Sequence, residues 1–418
     1  MSKLVPGRHF GFGPGGGLCY NQPAAMGELE HIAIIGGGGT GAALAHDLAL
    51  RGFRVTLLEK GALLCGTTGR HHGMLHSGAR YVLHDLKAAR ECCLENRILR
   101  RIAPQAIEPN GGLFVAVAPG DLAHLEPFLD LCRTAGIPVR PISADRARAL
   151  EPGLGSAVCA AVETPDAAVD PWRLPMHFFA GARANGAVIR SFIEVTGLKV
   201  SGGAVTGLVA CDLRTGREEP LGADLVVNAA GPWSGRIAAL AGLEVPIQPG
   251  PGVMAAVRDR LTERVIHRLH PAGEGDILVP QRRLTILGTT AWLAEDPDAA
   301  EPPPGHLRRL RDLCGQLAPA AAALEPLAVW SASRPLLKSG VTDDPLRISR
   351  TFECLDHGER DGVEGLVTLL GGKATTMRAM AEAAADLVCR LTGRERVCRT
   401  RDTVLPPYRR FWEGGRGA

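Results

Sequence analysis

No apolar run in this 418-residue chain approaches the ~20 residues that a membrane-spanning helix requires, which excludes an integral membrane protein built on helices. The N-terminus does not join a charged segment to a long apolar one, so a secretory signal is not expected. Eleven cysteines are scattered without a single C-x-x-C, so neither a zinc site nor an iron–sulfur ligand set is legible; free thiols in a reducing cytosol are expected, and no metal. A formal net charge of +3 is nearly balanced and makes no case for a nucleic-acid partner. No period of solenoid length recurs. Aromatics amount to 4%, alongside many Ala, Gly and Arg residues, a bias of composition that points to no function.

What remains is an ordinary globular composition, 45% hydrophobic and 22% charged, long enough for a large two-domain enzyme. Residues 1–28, with "GRHFGFGPGGGLCYNQP", read as a flexible extension, and Met26 is a candidate start just before the first strand. The segment "HIAIIGGGGTGAALAHDLALRGFRVTLLEK" then reads as strand, tight turn, helix and strand. Gly36, Gly38 and Gly41 form G-x-G-x-x-G, and Glu59 follows eighteen residues after Gly41, at the end of the second strand. The first glycine permits the turn, the second lets backbone approach a pyrophosphate, and the third lets helix and strand pack closely. Glu59 can accept hydrogen bonds from a ribose 2′-OH and disfavours a 2′-phosphate. In this context the motif indicates a dinucleotide, without separating NAD from FAD.

The next stretch, "CGTTGRHHGMLHSGARY", departs from the NAD pattern, in which another helix and strand would follow. Thr67 and Thr68 can serve the second side of a pyrophosphate, and His72, Gly73, Leu75 and His76 can run along an isoalloxazine. Further on, "ADLVVNAAGPWS" reads as a buried strand, Asp224 to Asn228, followed by small residues and a helix start at Trp233. "GLVTLLGGKATTMRAMAEAAADLVCRL" repeats the arrangement, with a strand from Leu366 to Leu370, a Gly-Gly turn and a helix from about Lys373. The N-terminus of that helix can direct its dipole at a flavin's pyrimidine end. Residues 241–354 carry alternating runs such as "DILVPQRRLTILGTTAW" and predict an antiparallel sheet.

"GTTGRHHGMLHSGARY" resembles the flavin-proximal loop of FAD-dependent glycerol-3-phosphate dehydrogenases, and most of all that of the anaerobic enzyme's large subunit. The likeness runs from His31 to about Pro406, through "AARECCLENRILRRIAPQAIEPNGGLFVAV", "DAAVDPWRL", "VVNAAGPWSGRIA", "GDILVP", "SRPL", "ISRTFECLDH" and "GLVTLLGGKATTMRAMAE". The broader class is the glycine-oxidase/D-amino-acid-oxidase type of flavoprotein. The resemblance implies an α/β fold with a discontinuous, Rossmann-like FAD-binding domain of the glutathione-reductase type (29–80, 155–240 and 355–395). An α+β substrate and cap region, 81–154 and 241–354, carries the antiparallel sheet, and 396–418 form a C-terminal tail. Cofactor contacts are expected from the residues above and from Thr40, Lys60, Arg70, Val195, Ala230, Gly231, Trp233, Gly372, Lys373, Ala374, Thr375 and Thr376.

The implied reaction is oxidation of sn-glycerol 3-phosphate to dihydroxyacetone phosphate, with a hydride passing to flavin N5. Arg334, Arg350 and Lys373 match the family's phosphate-binding cations, and Thr375 adds a hydroxyl to the substrate. His72 and His76 are candidates for the catalytic base, and Arg334 for polarising the alkoxide. Two departures bear on the substrate: Pro251 and Val253 stand where relatives have polar residues, and Ala374 and Met377 replace a leucine and a tyrosine. The competing readings are a flavoenzyme for a 2-hydroxy acid, amino acid or other phosphorylated alcohol, and a flavin electron-transfer subunit without its own substrate. The sequence lacks the cysteine-rich module of the anaerobic large subunit, so electrons are expected to leave through a partner subunit, a quinone or oxygen. The expected location is the cytoplasm or the inner face of the cell membrane. The tail "PPYRRFWEGGRGA" reads as a disordered end whose aromatic and basic residues give at most peripheral membrane contact.

Overall fold

The computed structural model describes residues 30–338, 345 and 348–413, so the expected extension over 1–28 lies outside the described residues. The first strand, β1 (His31–Ile35), is buried along its whole length, because it runs between two parallel neighbours with both faces covered. Those neighbours are β2 (Arg54–Glu59) and Leu225–Asn228, with Ile34 level with Leu57 and Val227. The sheet has six strands, in the order Phe352–Asp356, Leu366–Gly371, Leu225–Asn228, β1, β2, Val188–Ser191. Only the first of these runs antiparallel to its neighbour.

Alternation along β1 separates two cores. Ile32 and Ile34 face a helical layer made of α1 (Gly39–Leu50), Arg173–Ala184 and Met377–Leu391. Ala33 and Ile35 face a three-stranded antiparallel sheet, Ile193–Ser201, Ala204–Asp212 and Arg217–Gly222. Complete burial of each isoleucine side chain contributes about 1.5–3 kcal/mol relative to leaving it in water.

The second large sheet differs from the expectation. It has eight strands, in the order Pro326–Leu337, Ile247–Arg258, Leu284–Gly288, Ile277–Gln281, Val265–Arg268, Gly112–Ala116, Ala160–Thr164, Arg140–Ser143. It is mixed, because Val265–Arg268 and Gly112–Ala116 pair in parallel. Ala160–Thr164, expected with the nucleotide-binding part, instead lies between Gly112–Ala116 and Arg140–Ser143. Its backbone groups are satisfied there, and the chain returns to the first sheet only through the helix Arg173–Ala184.

Two helix starts are tighter than expected. Gly231–Trp233 and Ala374–Thr376 are single 3₁₀ turns, with α-helix from Ser234 and Met377 respectively. The tail, expected to be a disordered end, is ordered through Glu413. Leu405 and Phe411 are buried in the helical layer, and the Arg183 guanidinium stands 4.5 Å over the Phe411 ring. Arg183 also donates to the Phe411 carbonyl at 2.6 Å, so apolar burial and a polar contact hold this segment together.

Candidate active site

A cavity of about 850 Å³ opens where the two large sheets meet. Its first wall is the turn from β1 into α1. Gly36 has φ +114°, and a Cβ there would lie 2.6 Å from the Ala229 carbonyl oxygen. Gly41 does not line the cavity; a Cβ on it would stand 2.0 Å from the Gly36 carbonyl oxygen, so its role is close packing of helix on strand. Gly38 is the N-cap of α1 and has no side chain to cap it; Gly38, Gly39 and Thr40 line the cavity at this helix end.

Glu59 lines the same end, its carboxylate accepting from the amides of Gly37 and Gly61 at 2.7 Å each. Thr40 and Lys60 line it too, with the Lys60 ammonium 5.9 Å from the Trp233 ring. Ala230, Gly231, Trp233 and Val195 complete this end.

The polar loop forms the second wall. Thr68 Oγ1 accepts from the Gly39 amide at 2.9 Å, and Thr67 Oγ1 donates to the Ser333 carbonyl at 2.6 Å. Arg70 lines the cavity, and its carbonyl accepts from Trp330 Nε1 at 2.7 Å. The loop then runs through β3 (Met74–Leu75), whose side chains alternate. His72, Met74 and His76 face the cavity, whereas Gly73 and Leu75, expected beside the cofactor, do not line it. Leu75 is buried in the helical core, and a Cβ on Gly73 would meet the Gln281 amide at 2.0 Å.

The rings of His72 and His76 lie 5.9 Å apart, edge to face, and the Nδ1 of each is buried without a partner. Burial above all, and then neighbouring cationic and imidazole groups, hold both well below the ordinary histidine range.

The far end is cationic. Among the described residues, Arg334 donates to neutral acceptors, the carbonyls of Gly250, Pro251 and Thr290 and the Thr289 hydroxyl, at 3.0–3.3 Å. Arg350 donates to the Pro345 carbonyl at 2.9 Å. Among the described residues, neither arginine has a carboxylate within 4.0 Å. Burial, followed by repulsion from Arg350, lowers the Arg334 pKa to about 9. Lys373 Nζ donates to the Arg350 carbonyl at 2.6 Å and stands 5.2 Å over the Tyr81 ring.

Sequence reasoning overlooked Arg80 and Tyr81, which line this end. Arg80 is tied to Asp276 by two hydrogen bonds of 2.9 and 2.8 Å. Both residues sit in the "GARY" that closes the polar stretch, and a cation there was the available signal.

Thr375 and Thr376, expected to touch substrate and flavin, are buried and do not line the cavity. Thr375 Oγ1 accepts from the His76 amide at 3.1 Å, and Thr376 Oγ1 accepts from the Lys373 amide at 3.1 Å. The 3₁₀ turn rotates them inward, so they hold the lining segments rather than form them. Gly372, Lys373 and Ala374 do line the cavity. Of the departures noted in the sequence, Pro251 and Val253 lie off the cavity, and Met377 packs beside Gly39.

These features fit a flavin adenine dinucleotide. Glycines stand where a Cβ would close the turn, the Gly37 and Gly61 amides hold a carboxylate beside the helix N-terminus at one end, and buried imidazole nitrogens lack partners at the other. Known proteins agree. The model of the family described as FAD dependent oxidoreductase matches residues 31–387. The A1 component of the anaerobic glycerol-3-phosphate dehydrogenase of Haloferax volcanii is 41% identical over 392 residues, covering 91% of this chain and 67% of that protein. Its Escherichia coli K12 counterpart is 42% identical over 387 residues, covering 91% and 70%. Among solved structures, the glycerol-3-phosphate dehydrogenase of Bacillus halodurans complexed with FAD superposes with TM-score 0.70 at 22% identity, covering 91% of this chain and 68% of that one. Glycine oxidase from Geobacillus kaustophilus gives 0.67 at 22%, covering 90% and 98%.

Proposed function

Since the chain belongs to the FAD-dependent oxidoreductase family, we propose that its cavity takes sn-glycerol 3-phosphate and oxidises the C2 alcohol to dihydroxyacetone phosphate. The observation that carries this reading is the pair Arg334 and Arg350, half-buried guanidinium groups whose described acceptors are all neutral. Such charges are costly to bury unpaired, and a phosphate dianion supplies the missing partner. A flavin relay without a substrate of its own has no use for them, and neither does an enzyme for a neutral alcohol.

Gly36, Gly38, Glu59, Thr68 and the first turn of α1 would hold the dinucleotide, and the segments around His72–His76 and Gly372–Ala374 would flank its ring. Bound FAD supplies the two-electron acceptor for the hydride leaving C2. Arg334, Arg350 and Lys373 orient the phosphate and so place C2 toward the loop of His72 and His76. Each of these imidazoles is neutral at working pH, so its free Nδ1 can take the hydroxyl proton. The dianion beside them raises their basicity toward the range that task requires. Arg334 stabilises negative charge on the substrate oxygen as the proton leaves.

On the same reading, the electrons pass onward to a partner subunit or a quinone. Both curated relatives are named as components of a larger enzyme, which supports a partner subunit. The proposed location is the cytoplasm or the inner face of the membrane.

Adding glycerol 3-phosphate to the purified yellow protein without oxygen tests the function. Bleaching of the flavin band by this compound, and not by lactate, glycine or 2-hydroxyglutarate, is the expected result. A flavin band that none of them bleaches overturns it.

A further inference from the structure

The helix α2 (Leu86–Ile102) is not part of either large sheet, yet its polar residues reach the segments that build the cationic end. Its N-cap, Asp85, accepts from the Arg350 amide at 3.3 Å and from Ser349 Oγ at 2.8 Å. Asn96 donates to the His76 carbonyl at 3.1 Å. Glu91 and Glu95, one turn apart, face the two cations of the C-terminal motif: Glu95 pairs with Arg378 at 2.6 Å, and Glu91 lies 3.8 Å from Lys373 Nζ.

Glu91 is the unusual member. It stands outside the cavity lining, behind the lysine, and its Oε2 is buried with no hydrogen-bond partner. Lys373 has already committed one donor to the Arg350 carbonyl, and its side chain is only 6% exposed. The ammonium is thus fixed between a carboxylate behind and the anion site in front.

We propose that Glu91 is a positioning residue that sets the anion affinity of the active site, holding Lys373 in place while partly cancelling its charge. The inference rests on the phosphate-binding role proposed for Arg334, Arg350 and Lys373. A site with three uncancelled cations would hold a dianionic product as firmly as a dianionic substrate, and Glu91 offsets that by opposing the nearest charge. Protonating Glu91 removes the opposition. Burial raises its pKa and Lys373 lowers it, with burial the larger effect, so Glu91 takes up its proton at a higher pH than an ordinary glutamate.

Among the described residues, the other groups around this pair are Lys87 and Asp85 on the same helix and its cap, Cys92 beside Glu91, whose thiol burial pushes up to about 12, Tyr81 and His84 from the preceding turn, His76 from the loop, and Arg350. Tyr81 stays protonated and His76 stays neutral through the mildly acid range. Any contribution from His84 is common to wild type and the Glu91 variants, so it cancels in the comparison.

Sulfate is a suitable probe, because it remains a dianion across the range and its binding does not depend on turnover. Its dissociation constant for the flavin-loaded enzyme is read from the perturbed flavin spectrum between pH 5.5 and 8. Wild type should bind sulfate about three- to tenfold more tightly at the acid end. Glu91→Gln, which keeps the size of the side chain but not the charge, should bind tightly at every pH. Glu91→Asp should restore the pH dependence with reduced amplitude. A wild-type affinity that is flat with pH, or a Glu91→Gln profile that matches wild type or lies on the weaker side, overturns the proposal. Sulfate that responds to Glu91 in an enzyme that glycerol 3-phosphate fails to reduce would support this inference and refute the proposed substrate, so the two failures are distinct.

Discussion

Arg378 and Glu95 face each other through two hydrogen bonds of 2.8 and 2.6 Å, with both side chains only 1% exposed. They join the helix Met377–Leu391 to α2 across 283 positions of sequence. Arg378 also meets Glu382 at 2.7 Å and Thr400 Oγ1 at 3.1 Å, so every face of the guanidinium has a partner. The motif that carries Lys373 into the cavity is therefore anchored from behind by an ion pair that touches no ligand.

Removing one member of such a pair leaves a buried charge short of a partner. Glu95→Ala should lower stability by about 3 kcal/mol, with Glu382 limiting the loss. Replacing both Arg378 and Glu95 by Met and Leu should recover much of it. Denaturant titration of the two variants checks the order; equal losses would contradict this account.

Arg334→Ala should leave the flavin in place and raise the KM for glycerol 3-phosphate by roughly ten- to a hundredfold, the equivalent of one charged hydrogen-bonding partner. The flavin-to-protein absorbance ratio and anaerobic reduction kinetics measure the two effects separately. Loss of flavin from this variant would mean that the arginine serves the cofactor rather than the substrate.

The glycines of the first turn should fall into two classes. At Gly41 an added methyl would stand 2.0 Å from backbone, whereas at Gly38 it would meet only Thr68 Oγ1, at 3.2 Å. Gly41→Ala should therefore yield a poorly folded, colourless protein. Gly38→Ala should fold and bind FAD more weakly, as read by flavin retention on dialysis.

His46 is buried in α1, away from the cavity, and burial lowers its pKa to about 4. The unfolded chain binds this proton near pH 6.5 and the folded chain resists it. Stability is therefore complete above about pH 6.5 and falls as pH drops toward 4, by up to about 1.4 kcal/mol per pH unit for this one residue. His46→Leu should flatten that part of the stability profile, measured by thermal melting at pH 7.5, 6 and 5.

The local pattern of the chain was sufficient for the dinucleotide turn. An all-buried strand, glycines at 36, 38 and 41 and an acid at 59 leave few other structures, because the positive φ of Gly36 and the contact of Gly41 with the Gly36 carbonyl are demands made within the turn itself. The same holds for Arg334, Arg350 and Lys373, which sit in short stretches that resemble known ones and do line the cavity. Reading residues one after another failed where orientation mattered. Gly73 and Leu75 share a loop with His72 and His76, yet the pleat of β3 turns Leu75 away, Gly73 sits against the Gln281 amide, and a 3₁₀ turn buries Thr375 and Thr376.

Sequence alone determined the nucleotide-binding half-fold and the kinds of residue at the active site, because backbone sterics and hydrophobic periodicity act over a few turns of chain. Tertiary structure decided which cations are paired. Arg80 finds Asp276 across 196 positions and Lys373 finds Glu91, whereas the described partners of Arg334 are all neutral. Electrostatic partnership depends on distances of a few ångströms between residues far apart in order, and no local pattern records those distances.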